Sequence, residues 1–372
     1  MERPTLPRLH YLDSIRGLAA LATLVGHWLH MFPPGQGMAE DSRQALDLLI
    51  CGGDGVSVFF VLSGLVLSLK YLQREGEPQI NYAEFLVNRF FRIYPACFVM
   101  LLFYFYSVHK DEMTGNFLWN WTFGGENMHF WEEASLIRNV SIYFGPVWTL
   151  NVEVMLSVIV PPLVLLVRYQ PRWFKYLLVI SLMWTTFYSM FVFHFMLGIL
   201  IAAHFDYIRR FDFRNSALYP WRWAIYAGIY LLYSLREWMD FVDPGPYYSY
   251  LTSLIGLNIF HFTGLAAALF LVKVIHSERL QRWLSIRPLV FLGKISYGLY
   301  IVHWYFIFNV LQHYYWGWKD KFHLSDQKTH LLIGLAVLIL SLIAATALHY
   351  LVEKPFIQIG RKVAGRVRQR FA

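Results

Sequence analysis

Charge is what this chain has least of: only 15% of its 372 residues are Asp, Glu, Lys or Arg, against about 25% in soluble domains. A water-soluble globule needs a charged shell, so this scarcity excludes an ordinary soluble enzyme. Cysteine is nearly absent. Cys51 and Cys97 are the only two; they suggest neither a disulfide framework nor a Cys-based zinc site, and read as small buried residues. There is no internal repeat, low-complexity tract or soluble appendage. No basic-aromatic module of the kind that binds nucleic acid stands outside the apolar runs. The first of those runs also lacks a short core with a small-residue cleavage site, which predicts that it stays in the mature protein.

What the chain has instead is apolar length: 57% of residues are hydrophobic and 19% aromatic. Runs able to cross about 30 Å of hydrocarbon recur at residues 15–32, 48–69, 95–108, 147–167, 174–190, 191–207, 221–235, 250–274, 289–312 and 331–352. The third is short, and the fifth and sixth abut. Short cytoplasmic loops carry excess Lys and Arg. Placing Arg3 and Arg8 inside puts the basic segments 70–92, 168–175, 209–222, 273–287 and 361–370 inside too, and sends the acidic segment 111–133 and the segment 236–243 outward. Only the loop 319–328 is ambiguous. The expected fold is therefore an all-α polytopic membrane bundle of about ten transmembrane helices, with both termini cytoplasmic. It forms one membrane domain over residues 1–372, ending in a basic cytoplasmic tail at 361–372. The net charge of +8 suits anionic lipid headgroups.

A few polar residues interrupt these runs. Arg16 and His27 lie eleven positions apart in the first. On a helix advancing about 100° and 1.5 Å per residue they share a face to within about 20° and stand roughly 16 Å apart. Ionisable groups at membrane depth are costly, so by default they suggest function. The second run contains Phe59-Phe60-Val61-Leu62-Ser63-Gly64, whose small residues read first as helix packing. After it comes Asn88-Arg89-Phe90-Phe91-Arg92-Ile93-Tyr94-Pro95, with two arginines one turn apart and Pro95 opening the third run. On spacing alone this fits a positive-inside anchor as well as a site. Trp148-Thr149-Leu150-Asn151-Val152-Glu153 brings a carboxylate to the fourth run, which structural pairing or function must retain. In the ninth, Ser296 and His303 are seven apart on one face, and the tenth ends in Glu353-Lys354-Pro355-Phe356.

Taken in this order, from Tyr11-Leu12-Asp13-Ser14-Ile15-Arg16-Gly17 to Glu353-Lys354-Pro355, these stretches resemble the acyltransferase 3 family of membrane O-acyltransferases along essentially the whole chain. The resemblance implies transfer of an acyl group, most simply acetyl from acetyl-CoA, to a hydroxyl of a cell-surface carbohydrate, lipid-linked sugar or related acceptor. It also implies that Arg16, His27, Glu153 and the pair Arg89 and Arg92 serve activity. The chain departs from many relatives after Glu153, where Met155-Leu156-Ser157 replaces aromatics; the difference bears on the acceptor pocket more than on the chemistry.

The implied reaction matches the residues. An alcohol must lose its proton as it attacks a thioester, and imidazole, with an ordinary pKa near 6.5, is suited to accept it. That makes His27 the candidate base. Acyl-CoA carries phosphates, for which the forks of Arg89 and Arg92 are suited, with the acyl arm running along the Arg16 face toward His27. Glu153 could orient His27, pair with Arg16 or bind the acceptor. Ser63, Ser296, Tyr300 and His303 are candidates for the substrate pocket, with Tyr297 beside them. A covalent Ser/His route lacks a nucleophile elbow. His27 and His30 show no third ligand, so no metal is expected.

The segment Phe117-Leu118-Trp119-Asn120-Trp121 could stack on sugars or anchor at the interface. Asn120-Trp121-Thr122 and Asn139-Val140-Ser141 match glycosylation acceptors that matter only in a eukaryote; a bacterial inner membrane is the expected location. The rival reading is a secondary transporter with the same His, Glu and Arg at mid-membrane. Inverted repeats would favour it, and none is visible.

Overall fold

The computed structural model describes residues 9–32, 37–73, 80–109, 127–137, 145–183, 187–242 and 259–370. Among these residues there are helices and turns and no strand. The aromatic segment 117–121 and both glycosylation matches lie outside the described residues. In chain order the helices are α1 (His10–Leu29), α2 (Glu40–Ile50), α3 (Gly55–Leu72), α4 (Tyr82–His109), α5 (Asn127–Ser135) and α6 (Val147–Tyr169). Then follow α7 (Pro171–Met183), α8 (Phe187–Ala203), α9 (Phe205–Arg210), α10 (Arg222–Tyr233), α11 (Leu235–Val242) and α12 (Ile259–His276). The last are α13 (Glu278–Leu284), α14 (Arg287–Trp304), α15 (Gln312–Phe322), α16 (Asp326–Leu348) and α17 (Lys354–Arg370).

Among the described residues, six helical stretches are long and apolar enough to cross a membrane: Glu40–Leu72, Tyr82–Ser107, Val147–Tyr169, Ile259–His276, Arg287–Phe322 and Asp326–Arg370. The chain is an integral membrane protein on this evidence. Within the described residues, the fifth, sixth and seventh apolar runs form α7, α8 and α10, of 13, 17 and 12 residues, where a perpendicular crossing takes roughly 20. Two boundaries differ from expectation. Pro95 lies inside α4 rather than opening a span, and the helix of the tenth run continues through Pro355 to Arg370. In both places the apolar and aromatic faces on either side of the proline keep one helix together, as neighbouring contacts allow in membrane helices.

The chain divides into two compact units. The first comprises residues 1–26, 41–80 and 159–294. Its core gathers Val61, Leu62, Leu65, Leu197, Ala267 and Leu271 from α3, α8 and α12. At the centre, a Cβ added at Gly64 would lie 2.2 Å from the Phe195 carbonyl oxygen, and one at Gly198 only 2.0 Å from that of Val61. Only glycine permits such backbone contact, so the Ser63-Gly64 pair sits where two helices touch.

The second unit comprises residues 27–40, 81–158 and 295–372. Here α17 lies along α4, with Gly360 against the Phe91 ring. Two π-helical turns, Tyr305–Leu311 and His349–Glu353, keep α14 continuous with α15 and α16 continuous with α17. Such turns re-aim side chains and recur at functional sites. The expected basic tail is helical as far as Arg370 and belongs to this unit.

Candidate active site

All but two of the candidate residues fall in the second unit. Its anchor is the end of α1. Trp28 Nε1 donates to the His330 carbonyl at 3.1 Å, and Gln312 Nε2 donates to the Met31 carbonyl at 3.0 Å. Gly334 lets the Trp28 ring settle on α16. This fixes the turn that carries His27.

His27 meets a residue of α14. Its Nδ1 stands 2.8 Å from Nε2 of His303, and the two ring planes differ by 6°. A short nitrogen–nitrogen contact between nearly parallel rings is the geometry of an in-plane N–H···N hydrogen bond. His303 is fully buried, whereas His27 is partly open. The Trp304 ring stands edge-on to His27 with centroids 5.1 Å apart. Trp304 is itself packed on Gly145, where a Cβ would approach it to 2.4 Å.

The face of α14 that carries His303 also carries Ser296 and Tyr300, both buried. The Tyr300 hydroxyl is 2.8 Å from that of Thr149, which brings the first turn of α6 to α14. One turn further along α6, Glu153 Oε1 accepts from Arg89 Nη2 at 2.6 Å. Arg89 Nε donates to Ser157 Oγ at 3.1 Å, and that hydroxyl donates to the Glu153 carbonyl at 2.6 Å. Arg89 therefore grips two residues four apart on one helix face.

Arg92, a turn beyond Arg89, faces another carboxylate. Its Nη1 lies 3.4 Å from Oε2 of Glu353, which is 1% exposed and also accepts from His349 Nδ1 at 3.1 Å. The π turn sets this pairing by carrying both His349 and Glu353. Tyr297 donates to the Ile93 carbonyl at 2.7 Å, and its ring lies 5.9 Å from the Arg92 guanidinium. Each arginine is thus neutralised by its own carboxylate while keeping further N–H donors.

The remaining candidates, Arg16 and Ser63, lie in the first unit. Arg16 is 3.8 Å from Asp13, three residues back on α1, and Ser63 is partly buried in α3. Among the described residues no three His, Cys, Asp or Glu side chains are grouped to hold a metal ion. Sequence reasoning missed the pairing roles of Glu353, His349, Thr149 and Trp304. A carboxylate at the end of the last apolar run was the available signal for Glu353.

The chain is 28% identical over 182 residues to a peptidoglycan O-acetyltransferase, OatA, of Listeria monocytogenes serovar 1/2a. The match takes in 44% of this chain and 26% of that protein, so the chain spans about a quarter of its relative's length. No solved structure matches the chain. A family profile described as an acyltransferase domain matches residues 9–350, a range that includes His27, Arg89, Arg92, Glu153 and His303, and the chain accordingly belongs to the acyltransferase 3 family.

Proposed function

We propose that the protein is a membrane O-acyltransferase that moves an acetyl group from cytoplasmic acetyl-CoA to a hydroxyl of a cell-surface carbohydrate or lipid-linked sugar. The observation that carries this reading is His27, partly exposed and hydrogen-bonded through Nδ1 to a buried partner at 2.8 Å. Membership of the acyltransferase family and the peptidoglycan-acetylating relative support the reaction class and a glycan acceptor.

His27 takes the acceptor's hydroxyl proton as the oxygen attacks the thioester carbonyl. The C–S bond then breaks, and the departing thiolate takes that proton from the imidazolium, leaving an O-acetyl ester and free coenzyme A. Arg89 and Arg92 hold the nucleotide phosphates through the donors that Glu153 and Glu353 leave unused. Arg16, earlier on α1, is the third cation of this reading. Tyr300 and Ser296 line the path of the acyl group or acceptor. A ten-span topology with cytoplasmic termini and a bacterial inner-membrane location complete the proposal.

The test is transfer of label from acetyl-CoA into lipid and glycan fractions of membranes carrying wild-type protein or His27→Ala at matched expression. Label that enters a product with the wild type and disappears with His27→Ala supports the reading and reveals the acceptor class. Equal transfer by both removes His27 from the mechanism.

A further inference from the structure

We infer that His303 is a positioning residue that sets the tautomer of His27, so that Nε2 of His27 presents the lone pair to the acceptor hydroxyl. This rests on the reading of His27 as the general base and adds which of its nitrogens acts and what makes it act.

The argument runs outward from a backbone carbonyl. His303 Nδ1 lies 3.2 Å from the Leu299 carbonyl oxygen, one turn back on α14. A carbonyl oxygen only accepts, so Nδ1 of His303 carries the proton. In a neutral imidazole the other nitrogen then has the lone pair, so Nε2 of His303 is an acceptor. That Nε2 stands 2.8 Å from Nδ1 of His27. A hydrogen bond at this distance requires the proton on His27 Nδ1, which leaves His27 Nε2 bare. The opposite tautomer of His27 would press two lone pairs together across the same gap.

Burial makes the choice persistent. His303 is 0% exposed, so water cannot replace either of its partners. The edge-on Trp304 ring and the in-plane bond together resist rotation of the His27 imidazole. As His27 takes a proton at Nε2, its Nδ1–H bond to His303 becomes charge-assisted and strengthens. The contact thus favours the state in which the hydroxyl has lost its proton over the resting state.

Two substitutions separate positioning from packing. His303→Gln keeps a side-chain carbonyl able to accept from His27 Nδ1, whereas His303→Phe keeps a ring and no acceptor. The readouts are the 15N ring spectrum of His27 in purified, histidine-labelled protein, assigned by difference from His27→Gln, and the steady-state constants with acetyl-CoA. In the wild type the spectrum should show Nδ1 protonated and Nε2 bare. His303→Phe should give a tautomer mixture and lower kcat by about 100- to 1,000-fold, with KM for acetyl-CoA moving less than about threefold. His303→Gln should restore the single tautomer and bring kcat back to within about tenfold of wild type. A wild-type spectrum with Nε2 protonated, or a His303→Phe protein with unchanged tautomer and kcat, overturns the positioning role alone. Retained transfer by His27→Ala instead removes the base reading and the inference resting on it.

Discussion

Two arginine–carboxylate pairs, each joining residues far apart in the chain, decide how the individual residues of the site behave. Arg89 and Glu153 are 15% and 25% exposed, so their contact lies between a surface ion pair and a sealed one. Arg89→Ala leaves Glu153 and Ser157 without their donor. We expect a loss of about 1.5–3 kcal/mol, read as a lower Tm of the solubilised protein, together with weaker apparent affinity for acetyl-CoA. An unchanged KM for acetyl-CoA would remove Arg89 from donor binding. Glu353 is fully enclosed in its contact with Arg92 and His349. Glu353→Leu should therefore cost more alone than when combined with Arg92→Met, with a coupling of about 1–3 kcal/mol in a double-mutant cycle. Additive losses would show that the two side chains do not support one another.

At the scale of elements, close backbone contact and π turns do the organising. In the first unit, α3 and α8 meet through Gly64 and Gly198, with backbone oxygens of Phe195 and Val61 where a methyl group would go. Alanine is the better helix former by about 1 kcal/mol, yet neither Gly64→Ala nor Gly198→Ala should stabilise the protein. Each should cost about 1–3 kcal/mol through overpacking, measured as a fall in the temperature of half-aggregation in detergent. A rise would mean that these helices move apart without penalty. In the second unit, the π turn at His349–Glu353 packs against α4 and brings Glu353 to Arg92. The helix boundaries were only partly legible beforehand. Proline at 95 and at 355 reads as a punctuation mark in sequence, but packing against α4 and α17 carries the helices through both.

For the whole molecule, the charge distribution predicts orientation. With basic segments inside, a reporter fused after residue 372 should fold in the cytoplasm, and one inserted near residue 115 should face outward. The opposite pattern would invert the proposed access of acetyl-CoA to Arg89 and Arg92. Helix α17 carries Arg361, Lys362, Arg366, Arg368 and Arg370, consistent with an inner-leaflet surface.

The sequence by itself determined the class of this protein. Scarce charge and long apolar runs suffice for an all-helical membrane protein, because hydrophobic length and periodicity are local properties; the acyltransferase class came from the resemblance that the ordered polar strings carry. His27 and Glu153 could be singled out because each is costly where it stands, Arg89 and Arg92 through the resemblance, and His303 by the helix face it shares with Ser296. Their partners could not. His27 and His303 are 276 positions apart, and Arg92 and Glu353 are 261 apart. Periodicity tells which face of a helix a residue occupies, not which other helix that face will meet. Only the tertiary structure decided that His303, expected in the substrate pocket, bonds to His27, and that Glu153 holds Arg89. Such pairings depend on the packing of distant segments, and a single helix carries no record of them.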